Sequence, residues 1–249
     1  MRDPARTVLA ALAALWLGVA GSATPAAAAE PAADAAPAAA PAPPTVGRLA
    51  TWIMAAGDNG ALPFVIVDKP GASVFVYDGA GRLVGAAPAL LGLALGDDSA
   101  PGVGQRALSA IRPAERTTPA GRFIASLGPA EGEGEVLWVD YGAAISLHPV
   151  VNGTPKDHRL KRLRSPSPAD RRITYGCINV PAAFYEDVVR RRFTGTSGVV
   201  YVLPDTRPVE EVFPIFGVQA PAAAPVPAHP EQALHVAASA APGAAGAQN

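Results

Sequence analysis

One cysteine lies in Ile173-Thr174-Tyr175-Gly176-Cys177-Ile178-Asn179, after a basic stretch and four positions before Pro181. A single thiol builds neither an intramolecular disulfide nor a four-cysteine zinc site, so Cys177 is either a small buried hydrophobe or a nucleophile. The thiolate is the reactive form, and a free cysteine of pKa about 8.5 is activated by a helix N-terminus or an imidazolium. Gly176 has no side chain, so a substrate carbonyl can approach the backbone there. The amides around Tyr175 to Cys177 are then candidate donors to a developing oxyanion.

Acyl transfer through a cysteine needs a group that takes the thiol proton and later returns one, which suits histidine near neutral pH. His148 ends the apolar run Ala143 to Leu147 and precedes Pro149, a strand end from which a side chain is aimed. His158 lies among Lys156, Asp157, Arg159, Lys161 and Arg162 and reads as a solvated loop residue. His148 is therefore the candidate base. His229 and His235 fall in a terminal Ala/Pro/Gly segment and read as bystanders. A metal site on His148, His158 and Cys177 matches no common ligand spacing.

The elements that position these residues read as mostly strand. Phe64 to Val67 and Ser73 to Tyr77 flank the turn Lys69-Pro70-Gly71-Ala72, and Asp78-Gly79-Ala80-Gly81 leads to Arg82-Leu83-Val84, so a three-stranded meander is expected. Further short strands are expected at 122–126, 136–140, 143–148 and 199–203, each bounded by glycine or proline. A helix is expected around 48–56, and a second from Pro181 to about Phe193, with Glu186 and Asp187 ahead of Arg190, Arg191 and Arg192 in the order its dipole favours.

The chain has 249 residues, a net charge of −1, 27 Pro and 25 Gly, with the Ala/Pro-rich stretches gathered at the two ends. That balance and the lack of aromatic interleaving argue against nucleic-acid binding. Residues 1–29 read as an export signal: Arg2 and Arg6 precede an uncharged stretch from Thr7 to Val19, and Ala27-Ala28-Ala29 offers a cleavage site. The apolar stretch is shorter than the roughly 20 residues a spanning helix needs, so no stable membrane span is expected after processing. Residues 45–216 remain as one folded unit, ample for a core.

The segment Thr174-Tyr175-Gly176-Cys177-Ile178-Asn179 resembles the Ser/Thr-His-Gly-Cys-apolar-Asn/Arg signature of the L,D-transpeptidase catalytic domain, the cysteine enzymes that cross-link peptidoglycan. Thr118-Pro119-Ala120-Gly121-Arg122-Phe123 is similar to that family's Thr-Pro-x-Gly-x-Phe segment. Phe64 to Gly92, with its Val-Asp-Lys, is similar to the family's opening meander, and Ser165 to Pro168 and Val200 to Pro204 look like one branch of it. The resemblance covers roughly 63–204 and implies a mainly β fold, an L,D-transpeptidase-type β-sandwich with a few short helices, one following the catalytic cysteine. With the composition of the two ends, the expected domain order is a signal at 1–29, an Ala/Pro-rich linker with a short helix at 30–62, the catalytic domain that the resemblance implies at 63–204 and a C-terminal extension with an Ala/Pro-rich tail at 205–249.

The resemblance further implies Cys177 as nucleophile and His148 as base, with Thr174, Tyr175, Gly176 and Asn179 around the oxyanion and substrate. Peptidoglycan stem peptides are the implied partners, carbapenems the implied inhibitors, and no metal or organic cofactor is called for. The expected place of action is the periplasm or cell envelope. The family usually sets its histidine roughly 16 to 20 residues before the cysteine, a spacing nearer His158; choosing His148 requires the extra residues to be housed in a loop, which costs little. Tyr175 stands where many relatives have a second histidine. A hydrolase on the same fold and a non-catalytic wall-binding module stay open. Lys156 to Arg172 carries seven basic against two acidic side chains, a local excess of +5, and is a candidate lid for stem carboxylates.

Overall fold

The computed structural model describes residues 42–214 apart from 131, 133 and 152. The expected signal, most of the Ala/Pro segment that follows it, and the tail with His229 and His235 lie outside the described residues.

Strands β1 (Phe64–Asp68), β2 (Ser73–Tyr77) and β3 (Leu83–Pro88) form the meander the turn signals predict, in antiparallel register Phe64↔Tyr77 and Val76↔Gly85. The short strand β4 (Leu91–Gly92) follows. Beyond it come β5 (Gly121–Ala130), β6 (Gly134–Asp140), β7 (Ile145–Pro149), β8 (Arg172–Thr174), β9 (Ile178–Val180) and β10 (Gly198–Val202). Eight of these make one sheet in the order β3-β2-β1-β10-β5-β6-β7-β9, and β4 pairs with β8 separately. Leu90, just after β3, bridges Asn179 in β9 through both backbone bonds, 2.8 and 2.9 Å, so the two edge strands of the sheet are brought together.

Alternation along β1 and β10 sorts the core into two layers. Val65, Val67, Val200 and Val202 point into a cluster with Leu91, Leu137, Leu147 and Ile178, while Phe64, Ile66, Val199 and Tyr201 point the other way. That second face is covered by helix α1 (Pro44–Ala56), which lays Val46, Leu49 and Ile53 on it at the spacing of one helical face. Both faces of β1 and β10 are therefore buried, and their runs are apolar throughout rather than alternating with polar residues. The fold is mainly β with a few short helices. Its packed body extends beyond 63–204 on both sides, since α1 and Phe213 belong to the second core cluster.

The helical segment after Cys177 starts one residue later than expected, with Pro181 as its N-cap and Tyr185 N–H bonded to Pro181 O at 2.9 Å. It runs as α3 (Ala182–Phe184), a π-helical stretch (Tyr185–Arg190) and α4 (Arg191–Phe193). Tyr185, Val189 and Phe193, every fourth residue, are buried in the first cluster. Strand β9 intervenes between this helix and the sulfur, about 10 Å of extended chain. A helix dipole acts over its terminal turn, so its positive end does not lie against Cys177.

Candidate active site

Strands β7 and β9 run parallel in the register Leu147↔Ile178, His148↔Asn179 and Pro149↔Val180, and Val150 N–H continues the pairing to Val180 O at 2.8 Å. Side chains two apart share a face, so Ser146 and His148 from β7 meet Cys177 and Asn179 from the other chain segment. Cys177 is partly exposed. Ser146 Oγ donates toward Cys177 Sγ at 3.6 Å, and Sγ lies 3.7 Å from the Ala144 carbonyl oxygen. Ala144 itself sits at φ +55° in the turn between β6 and β7. Ser146 escaped the sequence reading because the alternation of 143–148 marks it only as a small polar position in an apolar run.

His148 is 3% exposed, and its ring is tied at both nitrogens. Nδ1 lies 2.9 Å from the Pro149 carbonyl oxygen, which can only accept, so Nδ1 carries the proton. Nε2 then accepts from Asn179 Nδ2 at 2.7 Å. The orientation of the Asn179 amide is set in turn by Arg159, whose Nη1 donates to Asn179 Oδ1 at 3.1 Å. His158, in contrast, is an exposed residue at φ +48° on the loop before helix α2 (Arg159–Leu163).

The cysteine loop is braced from beneath. Thr174 Oγ1 donates to Cys177 O at 2.7 Å and receives the Gly176 N–H at 3.1 Å, closing the turn on itself. The Gly176 amide is thereby committed to Thr174. Thr118, fully buried, donates its hydroxyl to Gly176 O at 2.8 Å and accepts the Gly92 N–H at 2.9 Å. Gly176 has φ +134°, and a Cβ there would stand 2.6 Å from both Thr117 O and Ile145 Cδ1, so the position admits no side chain. The Tyr175 ring lies under the guanidinium of Arg116, 4.0 Å from its centroid. Arg116 is itself fixed by two donations to Ile111 O, at 3.1 and 3.2 Å.

The strand that leads into this loop is anchored by a buried charge network. Lys69 Nζ, wholly buried, donates to Asp97 Oδ1 at 2.8 Å, Gly96 O at 2.7 Å and Thr118 O at 2.8 Å. Arg172, the first residue of β8, forks onto Asp205 at 2.5 and 3.0 Å and reaches Lys69 O at 2.8 Å. Burial by itself would raise the Asp97 carboxyl, but the Lys69 ammonium, the Thr206 hydroxyl and the amides of Asp205 and Arg207 override it and hold the group well below the usual carboxylate range.

Much of the basic stretch is turned inward rather than offered to a ligand. Arg159 goes to Asn179, Arg162 to Asp157 O and Asp170 O, Arg171 to Ala72 O, and Arg172 to Asp205. His158, Lys161, Arg162, Arg164 and Asp170 line an open cleft of about 540 Å³ on this loop.

No protein-family model matches the chain, and no curated protein sequence matches it. Among solved structures it is similar to L,D-transpeptidase LdtMt1 in complex with imipenem, at 14% identity and a TM-score of 0.31 over 56% of this chain and 58% of that one. It is similar to an L,D-transpeptidase from Mycobacterium smegmatis at 17% identity, with a TM-score of 0.32 and the same coverages, 56% and 58%. The helical cell shape determining protein Pgp2 (K307A mutant) from Campylobacter jejuni aligns at 14% identity and a TM-score of 0.39, over 59% of this chain and 48% of that one. The chain thus spans 48% to 58% of the length of these three structures.

Proposed function

We propose that the chain is an exported peptidoglycan L,D-transpeptidase, a cysteine acyl-transferase that joins a donor stem peptide to an amine acceptor. The observation that carries this reading is the placing of a partly open Cys177 sulfur 3.6 Å from Ser146 Oγ, on the face it shares with His148. In this reading the Cys177 sulfur attacks the carbonyl between the L-configured centre of a diamino acid and the terminal D-alanine. The thiol proton passes to His148 Nε2 as the ring exchanges its Asn179 bond for the thiol, and His148 returns it to the departing D-alanine amine as the thioester forms. An amine on a second stem then attacks the thioester, gives its proton to His148 and restores the thiol.

Because Gly176 N–H is spent on Thr174 Oγ1, the oxyanion role falls to the amides of Tyr175 and Cys177. Thr174 and Asn179 act as positioning residues, one on the loop and one on the imidazole. The reading calls for no metal or organic cofactor, takes residues 1–29 as the export signal, and makes carbapenems acylating inhibitors. Mass analysis of muropeptides incubated with the purified protein tests it. Cross-linked dimers are expected. Shortened tripeptides would replace the transferase with a hydrolase on the same residues, and unchanged muropeptides with folded protein would leave a wall-binding module.

A further inference from the structure

Arg159 belongs to a stretch whose composition reads as solvent-facing, yet its side chain is only 13% exposed. Three contacts fix it. Its Nη1 donates to Asn179 Oδ1 at 3.1 Å, and its Nε lies 3.5 Å from Asp157 Oδ2. Gly153, at φ +56°, closes over the pair so tightly that a Cβ there would lie 2.6 Å from Asp157 Oδ2 and 2.8 Å from Arg159 Nε. Asp157 is kept ionised, its carboxyl lowered first by the Thr154 backbone amide and hydroxyl and then by Arg159 itself.

A primary amide is nearly symmetric in shape but not in chemistry: one end accepts and the other donates. Whatever holds one end of Asn179 decides what the other end offers His148. A guanidinium has donors only, so it selects Oδ1 and leaves Nδ2–H for the ring. His148 Nε2, 2.7 Å away, must then accept through its lone pair, which keeps that nitrogen unprotonated.

We infer that Arg159 is a positioning residue that secures the tautomer of His148 from the Nε2 side by locking the Asn179 amide, as the Pro149 carbonyl does from the Nδ1 side, so that the basic loop reaches the nucleophile's face through one side chain. The inference rests on the proposed role of His148 for its catalytic consequence, but the tautomer is measurable without any substrate.

The test is long-range ¹H–¹⁵N correlation of the His148 ring in the full chain, compared among wild type, R159M and R159K, together with carbapenem acylation rates. Wild type is expected to show a single neutral tautomer with the proton on Nδ1. R159M frees the amide to turn its Oδ1 to Nε2, where it competes with the Pro149 carbonyl for the ring proton, and is expected to show a mixture with the Nε2–H form. Its acylation is expected to slow roughly tenfold, the size of a lost charge-assisted hydrogen bond. R159K, which retains a donor to Oδ1, is expected to restore the single tautomer and part of the rate. A folded R159M with an unchanged tautomer would overturn the inference, as would R159K behaving like R159M. Acylation unaffected in H148A would instead overturn the base role of His148 and leave the tautomer result to decide on Arg159.

Discussion

The Thr118 hydroxyl donates to the carbonyl of Gly176 at 2.8 Å, joining the segment before β5 to the cysteine loop across 58 positions of chain. The same oxygen accepts the Gly92 amide, so one buried hydroxyl fastens β4 and the loop together. Replacing it with the isosteric valine leaves a buried N–H and a buried C=O unpaired, at about 1–3 kcal/mol for each group. Thr118→Val is expected to lower the unfolding free energy by that amount and to slow Cys177 acylation more than Thr118→Ser does. Equilibrium unfolding and acylation kinetics on the two variants check this.

Gly176 is the position with least room. Its φ of +134° and the 2.6 Å approach of Thr117 O to a built Cβ mean that Gly176→Ala must displace backbone, not a flexible side-chain tip. A strained residue of this kind costs about 1–3 kcal/mol. The variant is expected to melt several degrees lower and to label more slowly with a thiol reagent. An unchanged melting temperature and labelling rate would show the loop to be looser than described.

The Lys69 and Asp97 pair makes stability depend on pH in a stated direction. The Asp97 carboxyl titrates lower in the folded chain than in the unfolded one, so it contributes stability above its unfolded value of about 3.9, lost as pH falls through the folded value. Asp68 works the other way: burial raises its carboxyl, so its contribution is present below that range and is lost as pH rises through the raised value. Lys69→Met leaves Asp97 buried beside Asp205 without the ammonium and is expected to cost about 3–5 kcal/mol at neutral pH. Protonation relieves that cost, so the gap between wild type and variant is expected to narrow below about pH 4. Denaturant titrations at several pH values measure it.

Tyr175 is held by its face rather than its hydroxyl, with Arg116 stacked 4.0 Å from the ring centroid. Tyr175→Phe is expected to acylate within about threefold of wild type, whereas Tyr175→Ala gives up a contact of about 0.5–2 kcal/mol and is expected to be slower. Equal loss in both variants would assign the work to the hydroxyl instead.

The strands that alternate or run apolar between glycine and proline were legible in the sequence: β1, β2, β3, β5, β6, β7 and β10 all overlap the runs the pattern marks, although β3 continues to Pro88 and β5 to Ala130, beyond the expected ends at 84 and 126. Strands β4, β8 and β9 were not, because two or three residues are too few to display a period, and they are defined by parallel partners far along the chain. The segment around Cys177 consequently reads as a loop leading straight into a helix, when a strand separates the two. His148 and Cys177 stand out by residue type and by the resemblance of their surroundings. Thr118 was visible only as part of a motif and Ser146 not at all, since a hydrogen bond across the fold leaves no local trace. Arg159 was hidden among seven basic residues whose composition signals a solvated face, whereas Arg159, Arg162, Arg171 and Arg172 are tied to the fold.

The central claim is tested most directly by the intact mass of the full chain after exposure to a carbapenem, with peptide mapping of the modified residue. One adduct on Cys177 is expected in wild type and none in Cys177→Ser. Formation is expected to be slower by about 10²- to 10⁴-fold in His148→Ala, the range for losing a general base, and by roughly tenfold in Ser146→Ala, which loses the donor facing the sulfur. No adduct on folded wild type, or an adduct whose rate is indifferent to His148, would contradict the account.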